Sequence, residues 1–113
     1  MEKIIAACAT DDGVLFINRR FRDARKYDVY EVDKEKIKRI ASIPNTISRE
    51  TSQLYDLMDK HGVNVLAAKQ FGQNAGSTRQ KIIPVIIHSG AVETGLLLIQ
   101  EAVSYTHLTL PTN

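Results

Sequence analysis

One cysteine, no tryptophan and three prolines in 113 residues exclude several classes at once. The single thiol, Cys8, forms no disulfide within the chain and completes no multi-cysteine zinc or iron–sulfur site by itself. Three prolines and six glycines are too few for a collagen-like or low-complexity chain. Aromatic residues reach 6%, so no base-stacking platform is suggested. No apolar run approaches the roughly 18–20 residues that cross a bilayer. The opening Met1–Cys8 is too short for a signal peptide and reads as a first strand, so a cytoplasmic protein with no membrane partner is expected. Charge of one sign is also missing. Fifteen basic and thirteen acidic side chains leave a net charge of +2, too balanced to argue for nucleic acid. The nearest basic patch is Arg19, Arg20, Arg22, Arg25 and Lys26, whose bland reading is a solvated loop and helix end.

What remains is an ordinary globular composition, 43% hydrophobic and 25% charged. A chain of this length fits one domain that buries roughly two thirds of its unfolded surface. Its end departs from that pattern. Charged residues stop at Glu101 and helical periodicity is expected to stop near Val103. The stretch 103–113 resembles translated sequencing-adapter read-through. A domain over 1–102 followed by a non-native tail is therefore expected, and His107 and Tyr105 carry no site.

Along the rest of the chain, Lys3–Ala9 is a continuous apolar run suited to a strand buried on both faces. Thr10-Asp11-Asp12-Gly13 is a turn, and Val14–Ile17 is a short apolar segment. Tyr27–Val32 alternates and is rich in β-formers. A polar turn at Asp33–Lys36 leads to a third strand on which Ile37, Ala41 and Ile43 are expected to point one way. Ser48 suits an N-cap, Leu54, Leu57 and Met58 fall at helical spacing, and Gly62 suits the stop. Val63–Ala68 reads as a buried strand. A loop over Gly72–Ser77 opens into a short helix to about Lys81. Ile82–Ile87 is a strand whose Pro84 points to a sheet edge or a bulge. Ser89-Gly90 starts a final helix with Val92, Leu96 and Ile99 as its apolar stripe. The order β-β-β-α-β-α-β-α predicts an α/β protein, a mixed five-stranded sheet with helices on both faces.

Ligands of open α/β sheets gather at the C-terminal ends of strands. Cys8 and His88 are both expected near that edge, and thiolate and imidazole are natural iron ligands. For Cys8 the bland alternative is a buried small residue, and for His88 an ordinary turn residue. His61 reads as a helix-end residue. Asp11 and Asp12 suit either turn capping or a divalent metal. Asp28 and Glu31 are three apart on a strand and face opposite sides. The Gly72–Ser77 loop, including Asn74, reads either as a structural turn or as an anion-receiving loop.

Three runs in the first half, Thr10–Gly13, Arg20–Ala24 and Tyr27–Val32, resemble the dinitrogenase iron–molybdenum cofactor biosynthesis family. In the second half the resemblance is carried by His61–Leu66, Phe71–Asn74 and Val85–Ile87 with the closing helix. It covers about Lys3 to Ala102. It implies a three-layer ribonuclease-H-like fold and a small non-enzymatic carrier of iron–molybdenum cofactor or iron–sulfur precursors. Nitrogenase-assembly proteins would be its partners, and it would be a monomer or homodimer. Cluster-binding members show His-Phe-Gly where this chain has Arg20-Phe21-Arg22. A guanidinium stays protonated and does not ligate iron, so Arg20 and Arg22 are expected to hold an anionic cluster or carboxylate by charge-assisted hydrogen bonds. Cys8, Arg20, Arg22, Gly72, Asn74 and His88 are the expected cofactor contacts, with Cys8 and His88 the metal ligands. The alternative is a regulatory or protein-interaction module of the same fold that has lost the cluster.

Overall fold

The apolar run near the N-terminus becomes the middle strand of a sheet, β1 (Ile4–Thr10), in a computed structural model that describes residues 3–45, 51–71 and 82–105. β1 pairs antiparallel with β2 (Lys26–Val32), which pairs antiparallel with β3 (Ile37–Pro44). On its other side β1 pairs parallel with β4 (Val65–Ala68), and β4 with β5 (Ile83–Ile86). The strand order is β3-β2-β1-β4-β5, a mixed five-stranded sheet as expected. Pro84 lies in β5 at the edge, where its missing N–H costs no ladder bond. The expected N-cap at Ser48, the Gly72–Ser77 loop and the short helix to Lys81 lie outside the described residues.

The two α-helices of the described residues cover opposite faces. Leu54, Tyr55 and Met58 of α1 (Thr51–Lys60) pack with Ala7, Ala9 and Leu66. Val92, Leu96 and Ile99 of α2 (Val92–Tyr105) pack with Ala6, Cys8 and Ala67. Successive strand residues alternate between these clusters, which is why β1 is apolar throughout. α1 stops where Gly62 takes a positive φ of 77°. The Gly62 N–H donates to Asp59 O at 2.9 Å and the Val63 N–H to Met58 O at 3.0 Å, the bonding pattern of a Schellman cap.

One expectation is corrected. Ile37 does not share a face with Ala41 and Ile43: it packs on the α2 side, and they pack on the α1 side. The register slips between Val29 and Tyr30, leaving Ile40 as an extra residue that reverses the alternation. α2 runs to Tyr105, two residues past Val103. Leu96, Ile99 and Val103 share one helical stripe, and Val103 packs against the same cluster.

Candidate functional site

Strands β1, β4 and β5 run in one direction, so Thr10, Ala68 and Ile86 end at one edge of the sheet. Lys26 of β2 lies opposite Thr10, and Pro44 of β3 opposite Lys26, at that same edge. The segments emerging there are 11–25, 45, 69–71 and 87–91.

The first of these carries the arginines. Its centre is a 3₁₀ turn, Phe21–Asp23, anchored by the buried ring of Phe21. That ring lies 4.6 Å from the Tyr27 ring and 5.6 Å from the Phe71 ring. The backbone around it is tied from three sides. Phe21 N–H donates to Gln70 O at 2.9 Å. The Tyr27 hydroxyl donates to Phe21 O at 2.9 Å. Asn45 Nδ2 donates to Arg22 O at 3.1 Å and to Ala24 O at 2.8 Å, and the Asn45 N–H donates to Arg25 O at 2.9 Å. Arg20 and Arg22 therefore stand on a preorganised turn beside the end of β4.

Carboxylates share this edge with the arginines. Asp11 accepts from Arg19 Nη2 at 3.0 and 3.2 Å and from the Arg25 N–H at 2.9 Å. Partial desolvation alone would push the Asp11 carboxyl up, but these donors together hold it below its ordinary value. Arg20 Nε lies 3.6 Å from Asp23 Oδ2, a looser pair with both side chains well exposed. Asp12 acts as a turn cap. Its Oδ1 accepts from the Val14 N–H at 2.8 Å and the Leu15 N–H at 3.0 Å. The Leu15 and Val14 N–H groups lower the Asp12 carboxyl's pKa.

His88 follows β5 at this edge. The Ile87 N–H donates to Ala68 O at 2.9 Å, and His88, the next residue, is exposed. The edge thus brings Arg20, Arg22 and His88 to one side of the sheet, while Gly72 and Asn74 lie outside the described residues. Cys8 is the correction. It sits two residues before the end of β1, with no exposed surface, in the cluster beneath α2. Desolvation, followed by the Asp28 charge, pushes its thiol up to about 12. A protonated thiol inside the core presents no ligand at the edge. Among the described residues no three His, Cys, Asp or Glu side chains are grouped to hold a metal. No helix there is long and apolar enough to cross a membrane.

Sequence reasoning missed three residues. Asn45 follows the last strand residue, and nothing in its spacing signals that its amide reaches back to Arg22 and Ala24. Tyr27 reads as a strand aromatic, although its hydroxyl fixes Phe21. Asp28 reads as ordinary strand polarity, yet it is fully buried. Ser42 Oγ donates to its Oδ1 at 2.8 Å, and Lys26 Nζ lies 3.5 Å from the same oxygen. Its Oδ2 has Arg39 Nη1 at 3.8 Å and no hydrogen bond. A Cβ at Gly13, whose φ is 85°, would lie 3.3 Å from that oxygen. Gly13 also lines a cavity of about 330 Å³ on the α2 side, with Val14, Tyr30, Ile37, Glu93 and Leu96 among its walls.

The dinitrogenase iron-molybdenum cofactor family model matches residues 2–101. No curated protein matches. Among solved structures, the chain is similar to a protein from Methanocaldococcus jannaschii described as a candidate dinitrogenase. The identity is 19%, with 91% of this chain and 93% of that chain covered and a TM-score of 0.68. At that identity the likeness shows the fold.

Proposed function

From the premise that the chain belongs to the dinitrogenase iron-molybdenum cofactor family, we propose that it is a non-enzymatic carrier that holds an anionic iron–sulfur-containing cofactor precursor. The sheet edge at the ends of β1, β4 and β5 is the proposed binding face. The observation that carries this reading is the tied 3₁₀ turn. Its carbonyls at Phe21, Arg22 and Ala24 are fixed by Tyr27 and Asn45, so the backbone that carries Arg20 and Arg22 needs no ordering by a ligand. Guanidinium groups bind cluster sulfides or carboxylates by charge-assisted hydrogen bonds, without coordinating iron. His88 is the one proposed protein ligand to metal, and Gly72 and Asn74 are the proposed loop contacts. The three-layer arrangement is read as ribonuclease-H-like. A soluble cytoplasmic setting and nitrogenase-assembly partners belong to the same proposal.

The test is an anaerobic titration of an iron–sulfur cofactor precursor, followed by absorbance and bound iron. Saturable binding that weakens in Arg20→Gln/Arg22→Gln and in His88→Ala supports the carrier. Absence of binding, or binding indifferent to these substitutions, refutes it.

The second reading is a protein-interaction module that has lost the cluster. Exposed Val14, at 63%, lines the α2-side cavity, and Leu97 of α2 is also exposed, at 50%; these apolar side chains favour it. A stable protein partner whose binding is lost in Leu97→Asp, with no bound iron, would select this reading.

A further inference from the structure

The carboxylates beside the arginine turn are not equivalent. Asp11 is built into the loop: it bonds both Arg19 and the Arg25 backbone at 2.9–3.2 Å. The Arg19 guanidinium also donates to Asp23 O at 3.3 Å, so this arginine spans two segments of the loop. The Arg20–Asp23 pair differs in each respect. Its Nε–Oδ2 distance of 3.6 Å is beyond hydrogen-bond length, and the side chains are 48% and 39% exposed. It ties nothing together, because the turn is already closed by the Asp23 N–H donating to Arg20 O at 2.8 Å. An exposed pair of this kind contributes little to folding, but it places a negative charge where an anionic ligand of Arg20 has to sit.

We infer that Asp23 is a resident counter-ion of the binding face, displaced by the ligand, and that it lowers the face's affinity for anions by competing with them for Arg20. This rests on the carrier reading above. An anion offers Arg20 one acidic group in exchange for the one it has, so the cost of displacing Asp23 is common to anions of any charge. A di- or trianion meets Arg20 with one group and the neighbouring cations with others, and that advantage over a monoanion is independent of Asp23. The Asp23 side chain then turns to solvent. No bond is made or broken, and the backbone bonds that hold the turn are unchanged.

Asp23→Asn keeps size and backbone and removes only the competing charge. Glu101→Gln, near the far end of α2, removes an equal charge and serves as the comparison. Citrate is the trianionic probe and acetate the monoanionic one, each titrated into the full chain at low ionic strength with amide chemical shifts as readout. Wild-type protein is expected to bind citrate in preference to acetate. Asp23→Asn should tighten both citrate and acetate by about threefold, because the competing charge is removed for each. Glu101→Gln should change neither by more than the general charge effect. In Arg20→Gln/Asp23→Asn the gain should vanish, because it acts through Arg20. Equal affinities in Asp23→Asn and Glu101→Gln, or a gain that survives Arg20→Gln, would overturn the inference and leave the carrier reading intact. Citrate bound by neither wild-type nor Asp23→Asn would overturn it too. The carrier reading is decided separately, by the cofactor-precursor titration and its response to the Arg20→Gln/Arg22→Gln and His88→Ala substitutions.

Discussion

Cys8 and Asp28 are direct partners across β1 and β2, and neither has any exposed surface. A thiol and a carboxylate so placed cannot both be charged at low cost. Burial first and the Asp28 charge second push the Cys8 thiol from 9.0 up to about 12. Because the folded value is the raised one, the stability at stake is fully present below about pH 9. It is lost as pH rises toward about 12. Wild-type protein should therefore lose more stability between pH 9 and 11 than Cys8→Ala does, measured by urea denaturation at each pH. Native protein at pH 8 should also leave the thiol unmodified by a chromogenic disulfide until it is unfolded. Rapid modification of folded protein would contradict this placement and return Cys8 to the set of accessible ligands.

Gly95 allows α2 to lie against the sheet. A Cβ there would come 2.7 and 2.8 Å from the Phe16 ring and 3.1 Å from Ile87 Cγ2. Gly95→Ala gains up to about 1 kcal/mol of helix propensity, but overpacking costs about 1–3 kcal/mol. A net destabilisation of about 1–2 kcal/mol is expected in denaturant unfolding. Phe16→Leu in the same chain should recover part of it by opening space over the added methyl.

Asp28 holds Ser42 and Lys26 together beneath Gly13. Removing its side chain leaves the Ser42 hydroxyl without this acceptor and opens a void among buried groups. Asp28→Ala should cost about 3 kcal/mol, within the range for breaking a buried pair. Ser42→Ala should cost about 1 kcal/mol. Near-equal losses would mean that the carboxylate matters only through the serine.

Asn45 links folding to the proposed binding face. Asn45→Ala removes two side-chain donors from the Arg22 and Ala24 carbonyls and should lower stability by about 1–2 kcal/mol. It should also weaken anion binding while leaving Arg20 and Arg22 in place. Stability loss with unchanged affinity would show that the tied turn has no bearing on binding.

The readable parts of this fold were those set by local pattern. The β1 run, the Val92–Leu96–Ile99 stripe, the Gly62 stop and Pro84 at an edge each follow from periodicity or backbone chemistry within a few residues. The parts that were not readable depend on partners far apart in sequence. Ile37 faces away from Ala41 because of a bulge that only the β2–β3 register defines. Asp28 looks like any polar strand residue until the α2 face is assembled over it. At the candidate site, His88 reads from the sequence as a residue just past a strand end, and the basic stretch as a charged loop. Asn45 was not legible, since its role is to reach the carbonyls of a turn more than 20 residues earlier. Cys8 was placed near the correct strand end, but its position facing α2 put it in the core.

The most direct test of the central claim is to map where the paramagnetic cofactor precursor sits, by loss of amide resonances on anaerobic titration into isotopically labelled protein. The carrier account predicts saturable broadening centred on 19–25, 69–71 and 87–90, and its attenuation in Arg20→Gln/Arg22→Gln. Broadening centred instead on Tyr30, Ile37 and Leu96 around the α2-side cavity, or uniform weak broadening with no saturation, would contradict it.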